Sequence, residues 1–471
     1  MAAGATAASE PLGETAAGGP WSPELRRLTG GLLLNVVAVA FEALAIATVM
    51  PLVADELQGQ GLYGWVFSAF LLANLVGIVV GGLHADARGP AAPFVWGVVL
   101  FAAGLILGGL APTMWALVAA RALQGFGGGG LGSIAYVAVG RVYPDAARPR
   151  MLAFLSTAWV VPGLIGPALA GLVAEGPGWR WVFLGLAPLP AIAATLALPA
   201  LRPIPGGSVR GAAGRRVVLA AALAAGAGLL LGGLSQPDPR RAVPLIAAGL
   251  ALGLPPLARL LPAGTLSARP GLPAAIATMG LLNLGFFGVE AFIPLALVDL
   301  RGSSILFASL TLTAVTITWT SGSWLQARLA GSGLRRRLVR AGLALLTIGA
   351  VGITLLLSPA VPPALAPIVW GIGGIGMGLA FSTISLSVLE TAPTGQEGEA
   401  SASLQLANML GSGLGAGIGG ALIATFGPGE GLRRALTVQN AAMIGVLLLA
   451  LLVAGRLPAI RAAKDGEPHH G

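Results

Sequence analysis

Residues 33–43 read Leu33-Leu34-Asn35-Val36-Val37-Ala38-Val39-Ala40-Phe41-Glu42-Ala43, and residues 281–291 read Leu281-Leu282-Asn283-Leu284-Gly285-Phe286-Phe287-Gly288-Val289-Glu290-Ala291. One phrase, Leu-Leu-Asn with Glu-Ala seven positions on, therefore occurs twice, each time inside a long apolar segment. On insertion scales an ionised Asp at a helix centre costs about 2.5–3.5 kcal/mol, and Glu is comparable. A carboxylate kept at that cost points to function. Its duplication points to two related halves, each contributing one titratable group, which is the layout of a secondary transporter.

The residues AVILMFWYC make up 56% of the 471-residue chain and charged residues 10%, with a mean hydropathy of +0.86. A water-soluble core cannot bury that much apolar surface, so the bilayer is the expected solvent. The 72 glycines and 34 prolines lie largely within apolar runs, where helical membrane proteins tolerate them. No cysteine is present, which excludes disulfides, thiol nucleophiles and Cys-ligated metals. The net charge of +9 falls mostly in short loops between apolar segments, which argues against nucleic-acid binding and for membrane orientation.

Residues 1–27 read as a disordered cytoplasmic tail, without the basic stretch and short apolar core of a signal peptide. Six apolar spans follow in 28–201, at about 28–54, 64–85, 92–111, 113–138, 150–174 and 180–201. Residues 202–216, with Arg202, Arg210, Arg215 and Arg216 among Pro and Gly, read as a cytoplasmic linker. Two inserted spans occupy 217–262, six more occupy 263–457, and 458–471 form a second cytoplasmic tail. A helix needs ~20 residues to cross ~30 Å of hydrocarbon, and the count is fourteen. With the N-terminus inside, twenty basic residues fall on the cytoplasmic side and six on the other, as expected for a plasma-membrane protein with both termini cytoplasmic.

Asn35 and Glu42 lie two turns apart on one helix face, as do Asn283 and Glu290. Withdrawal from water favours the neutral form of a carboxyl group, which makes proton uptake and release near neutral pH feasible. Glu42 and Glu290 are therefore candidates for binding protons, alternately with a cationic substrate. Asn35, Asn283 and Gln124 are candidates for neutral hydrogen bonds in a substrate cavity. The bland alternative is a fixed interhelical bond from each acid to Arg121 or another polar group. Arg121 sits in the fourth span and needs a carboxylate or a water-filled cavity beside it. The glycines after it are no phosphate cradle, because no Lys-Ser/Thr follows.

In the fifth span, Pro162-Gly163, Gly166-Pro167 and Gly171 combine helix-breaking and small residues, as a hinge or a tight helix seam requires. Asp86, Arg88 and Gly89 form a tight turn after the second span, where Asp86 caps the next helix or pairs with a basic group. Trp179-Arg180-Trp181 fits an interfacial aromatic belt, and Arg335-Arg336-Arg337 fits topological anchoring. His84 reads as a packing residue; with only His469 and His470 besides, no metal site is expected.

Together these residues resemble the major facilitator superfamily, and within it the fourteen-helix drug:proton antiporter branch, over about 28–456. The run Arg121–Gly127 is similar to the fourth-helix motif, whose arginine the family implicates in proton coupling. Gly166-Pro167 with Ala170-Gly171 resembles the antiporter motif of the fifth helix, with Ala170 in place of the usual glycine. Phe41-Glu42 through Met50-Pro51 resembles the first-helix acidic motif, and Trp179–Leu184 the opening of the sixth helix. Gly322–Arg328 looks like a degenerate second copy of the loop that follows the second helix. In the first copy Asp86 and Gly89 match, but the arginine falls one place late, at Arg88, and Pro90 replaces a basic residue.

The resemblance implies an all-α integral membrane fold, two pseudo-symmetric six-helix bundles plus two inserted helices, rocking about a midplane cavity. It implies proton-driven export of a hydrophobic or amphipathic compound, functional as a monomer and with no cofactor beyond the proton gradient. The partners expected are a small lipophilic substrate, protons and the lipid bilayer. Export of a lipid or cell-envelope component is the alternative within transport. A membrane enzyme would need an HExxH or a carboxylate pair on one loop, and neither occurs. A receptor or scaffold has no need of matched buried acids.

Overall fold

A chain in hydrocarbon must satisfy its backbone polar groups internally, and long apolar runs accordingly fold as helices. The computed structural model describes residues 19–144, 147–206, 213–329, 334–393 and 397–457. Residues 1–18, 207–212 and 458–471, which carry most of the two expected tails and the middle of the expected linker, lie outside the described residues.

The first half comprises α1 (Arg26–Glu56), a 3-10 turn (Gln60–Leu62), α2 (Tyr63–Arg88), α3 (Ala91–Gly109), α4 (Met114–Val142), α5 (Arg148–Thr157), α6 (Val160–Glu175), α7 (Arg180–Leu184) and α8 (Pro188–Leu201). A hairpin of α9 (Ala213–Leu234) and α10 (Pro239–Leu260) follows. The second half comprises α11 (Leu272–Glu290), α12 (Ile293–Leu295), a π-helical turn (Ala296–Leu300), α13 (Ile305–Leu329), α14 (Arg335–Leu355), α15 (Ala366–Thr391), α16 (Glu397–Phe426) and α17 (Glu430–Val453). No strand occurs among the described residues.

Twelve helical segments of the described residues are long and apolar enough to cross a membrane. Large apolar side chains such as Val99, Leu107, Leu172 and Leu452 stay exposed on their outer faces, as a lipid-facing surface requires. The fourth and fifth expected spans are not among the twelve. α4 is diluted by Arg121, Gln124 and its glycines, and the fifth span is broken at Ala158-Trp159 into α5 and α6. The sixth is likewise broken, between α7 and α8.

The two halves repeat one packing scheme. Contacts of α2 with α4, α3 with α4, α1 with α6 and α1 with α8 recur as α13 with α15, α14 with α15, α11 with α16 and α11 with α17. Across the middle, α2 meets α16 and α6 meets α13, the same pairing seen from either half. Two apolar clusters form, one chiefly of first-half and one chiefly of second-half residues, and each draws in side chains from across the middle, such as Phe292 and Leu72. The hairpin breaks the symmetry: α9 packs on both α2 and α16, whereas α10 packs chiefly on α9.

The α2–α4 contact shows why small residues stand where they do. A Cβ on Gly125 would strike the carbonyl of Phe70, and one on Gly129 the carbonyl of Asn74. Without side chains there, the backbones touch, and Asn74 Nδ2 donates to the Gly125 carbonyl at 3.3 Å. That close approach brings Arg121 of α4 against α2.

Candidate functional site

Glu42, Arg121 and Gln124 come together in the core of the first half. Glu42 is fully buried and Arg121 is 2% exposed. Arg121 Nη1 donates to Glu42 Oε1 and, at 2.8 Å, to Gln124 Oε1. Its Nε donates to the Val66 carbonyl at 3.2 Å, and the guanidinium lies 4.2 Å from the centroid of the Phe70 ring. Three helices thus hold one cation by an ion pair, neutral acceptors and a π face, which suits a guanidinium that cannot shed its proton. Glu42 Oε2, Gln124 Nε2 and Asn35 Oδ1 are buried without a hydrogen-bond partner among the described residues. Asn35 is buried on the same helix as Glu42.

The second acid has different company. Glu290, 8% exposed, accepts a 3.0 Å hydrogen bond at Oε2 from the indole Nε1 of Trp370 on α15. No cation pairs with it among the described residues. Trp370 stacks on Phe286 at a centroid distance of 5.2 Å, and Trp319 meets Phe286 edge-on at 5.4 Å. Asn283 turns its amide to the Met279 carbonyl at 2.9 Å and leaves Oδ1 unpartnered. The bland alternative, an interhelical bond from each acid to Arg121 or another polar group, thus describes both: Glu42 bonds Arg121 of α4 and Glu290 the Trp370 indole of α15. Sequence reasoning missed Trp370 and also Gln439, whose Nε2 donates to the carbonyls of Gly288 and Gly415 at 3.0 and 2.9 Å. Nothing in the apolar run around Trp370 marks it out; Gln439, a polar residue inside a span, was a visible signal.

At the far end of α2, Asp86 pairs with Arg141 of α4 at 2.7 Å, and Arg141 also reaches the Ala85 and Pro205 carbonyls, each at 3.4 Å. Of the two expected roles Asp86 takes the pairing one, since α3 has no side-chain cap. Gly89 adopts φ +88°, which favours glycine, and it abuts the Ile204 carbonyl. Arg88 lies exposed in the last turn of α2.

The proline-glycine set lies on α6 and at the seam between halves. Pro162, Gly163, Gly166, Pro167 and Gly171 are all buried. A Cβ on Gly163 would strike Thr316, and one on Gly171 would come within 2.8 Å of Ser309 Oγ, both on α13. Gly166 instead faces the Phe41 ring of α1. Trp179 departs from the expected belt: it is buried, and its indole donates to Glu56 Oε2 at 2.7 Å, while Arg180 pairs with the same carboxylate. Trp181 does face outward. Arg335 pairs with Glu390, and Arg336 binds the Leu457 carbonyl, so part of the basic triplet ties helix ends together.

Two halves with matched packing each hold one buried acid, partnered by a helix of its own half. The family description for the Major Facilitator Superfamily matches residues 32–416. The chain belongs to that superfamily. It is 27% identical over 454 residues to a probable multidrug-efflux transporter of Mycobacterium tuberculosis, covering 90% of this chain and 95% of that protein. It is 30% identical over 162 residues to multidrug resistance protein 3 of Bacillus subtilis, covering 34% of this chain and 32% of that one. In the first relatives the matched stretch spans between 26% and 32% of their length. Among solved structures, a POT family transporter in complex with 5-aminolevulinic acid superposes with a TM-score of 0.65 at 16% identity, covering 91% of this chain and 96% of that one. With twelve helical segments of membrane-crossing length and apolarity among the described residues, the chain is an integral membrane protein.

Proposed function

We propose that this chain is a proton-coupled antiporter, exporting hydrophobic or amphipathic compounds, cations among them, from the cytoplasm by alternating access. In this reading α4 and the α5–α6 pair also cross, giving fourteen spans in the plasma membrane with both termini cytoplasmic, and the protein works as a monomer. The efflux names borne by its relatives support the direction of transport.

The observation that carries the proposal is the unequal partnering of two buried acids at matching positions. Glu42 is paired with Arg121, whereas Glu290 meets only an indole N–H among the described residues. A proton arriving at Glu42 releases Arg121 to its other acceptors, Gln124 and Val66. Glu290, without a resident cation, is the acid able to discriminate substrate charge. Asn35, Gln124 and Asn283 supply unpartnered polar atoms to a solute between the halves. Antiport follows where proton and substrate favour different states of one bistable seam, since equal affinity for both states shifts nothing. The seams α2–α16, where Gly64 abuts Gly420, and α6–α13, where Gly163 abuts Thr316, are our candidates for that element.

The test is flux of lipophilic cations and their neutral analogues in reconstituted vesicles, with and without an imposed pH gradient. Glu42→Gln is expected to abolish gradient-driven efflux in a protein still folded and inserted. Glu290→Gln is expected to impair cations more than neutral compounds. Full gradient-driven efflux by Glu42→Gln refutes proton coupling at this site, and equal losses of both substrate classes refute charge selection by Glu290. Release of lipid in place of the lipophilic probes would favour the cell-envelope alternative.

A further inference from the structure

The second carboxylate stands at a helix break. Pro294 has no N–H for the Glu290 carbonyl four residues back, and its ring crowds that carbonyl, so α11 ends at Glu290. The chain turns through Ala291 and Phe292 and resumes as α12 and a π-helical turn. Such turns are uncommon and recur at functional sites. A break of this kind strands backbone carbonyls in a region without water.

The first half supplies what the break lacks. Tyr63, the first residue of α2 and fully buried, donates its phenolic O–H to the Ala291 carbonyl at 3.2 Å. Its ring packs on Phe292 at a centroid distance of 5.5 Å. Three residues earlier, Gln60 Nε2 donates to Asp299 Oδ2 at 3.2 Å, on the π-helical turn. One residue later, Gly64 lies against Gly420 of α16, whose neighbour Gly419 abuts the Phe292 ring. Two residues of one half, Tyr63 and Gln60, thus hold the break and the π-helical turn after it in the other.

We infer that Tyr63 is the positioning residue that couples the Glu290 site to closure of the α2–α16 seam. A change of partner at Glu290 moves the adjacent peptide, Ala291, and so makes or breaks the hydrogen bond that holds α2 in place. Tyr63 itself touches no transported species. The inference rests on Glu290 responding to substrate or protons, as proposed above, but the latch and the response are separately measurable.

The chain has no cysteine, so Ser68→Cys introduces a single thiol. Ser68 is buried in the α2–α16 seam, with its hydroxyl donating to the Gly413 carbonyl at 2.8 Å. Its maleimide labelling rate in nanodiscs reports how often that seam opens. Tyr63→Phe keeps the ring on Phe292 and removes the hydroxyl, and is expected to speed labelling by about 2- to 10-fold, the value of one buried hydrogen bond. Glu290→Gln is expected to change the rate by at least about 2-fold when Tyr63 is present and to leave it unchanged in the Tyr63→Phe background. Labelling of Tyr63→Phe at the parent rate overturns the latch. Multiplicative effects of the two substitutions overturn the coupling while leaving a structural contact. No effect of Glu290→Gln in either background, with normal flux, overturns the reading of Glu290 and not the role of Tyr63 in the seam.

Discussion

Gly125 and Gly132 stand seven residues apart on α4, and replacing each by alanine has opposite expected outcomes. At Gly132 an added methyl group meets nothing within 4 Å, so the substitution only restricts the unfolded backbone and favours the helix, by up to about 1 kcal/mol. At Gly125 the same methyl collides with the Phe70 carbonyl oxygen and lies 2.8 Å from the Phe70 α-carbon. Ordinary carbon contacts fall near 3.5–4.0 Å, so α2 and α4 must part by roughly an ångström. Overpacking of this kind costs about 1–3 kcal/mol. The Arg121–Val66 and Asn74–Gly125 hydrogen bonds, at 3.2 and 3.3 Å, have no slack and fail with it. Thermal unfolding of the purified protein, followed by intrinsic tryptophan fluorescence, measures both variants against the parent. Gly125→Ala should lower the midpoint and weaken gradient-driven efflux, because Phe70 and Val66 no longer hold Arg121. Gly132→Ala should leave efflux intact and raise or preserve the midpoint. A Gly125→Ala protein as stable as its parent, or two equally destabilised variants, would refute the packing argument.

Trp370→Phe preserves a ring against Phe286 while removing the N–H that Glu290 accepts; cation efflux should fall about 10-fold, the equivalent of one charge-assisted hydrogen bond, and Glu290→Gln should add nothing further. Asp86→Asn removes an ion pair whose side chains are 32% and 56% exposed, so stability should change by less than about 1 kcal/mol. Its expected effect is on initial transport rate, smaller at high ionic strength; a large drop in unfolding midpoint would contradict that assignment.

Much of this architecture is written in local signals. The paired Asn–Glu phrases predict the relation between halves that the contacts of α1 with α6 and α11 with α16 display. Arg121, a cation in an apolar run, announces the need for an anion, and Glu42 supplies it. What sequence patterns do not carry is the choice among partners on distant helices. Arg141 reads as one more cytoplasmic charge until α2 and α4 bring it to Asp86. Trp179 has the aromatic character of a membrane-interface residue, but Glu56 draws it inward. Trp370 and Tyr63 are unremarked aromatics whose polar atoms acquire meaning from the acid and the broken helix beside them. Hydropathy also falls short where Arg121, Gln124 and glycines dilute a span, as in α4, and length where a span is broken, as between α5 and α6.

The α9–α10 hairpin makes the two flanks of the molecule unlike. Where α2 meets α16, α9 lies across the join and α10 backs it, so oily molecules dissolved in the surrounding leaflet face a double wall. Where α6 meets α13, the helix that packs on both among the described residues is α1 of the first half itself, not an added hairpin. The α2–α16 join therefore carries an outer helix pair that the α6–α13 join lacks among the described residues, and the lipid meets a thick wall on one flank and a thin one on the other.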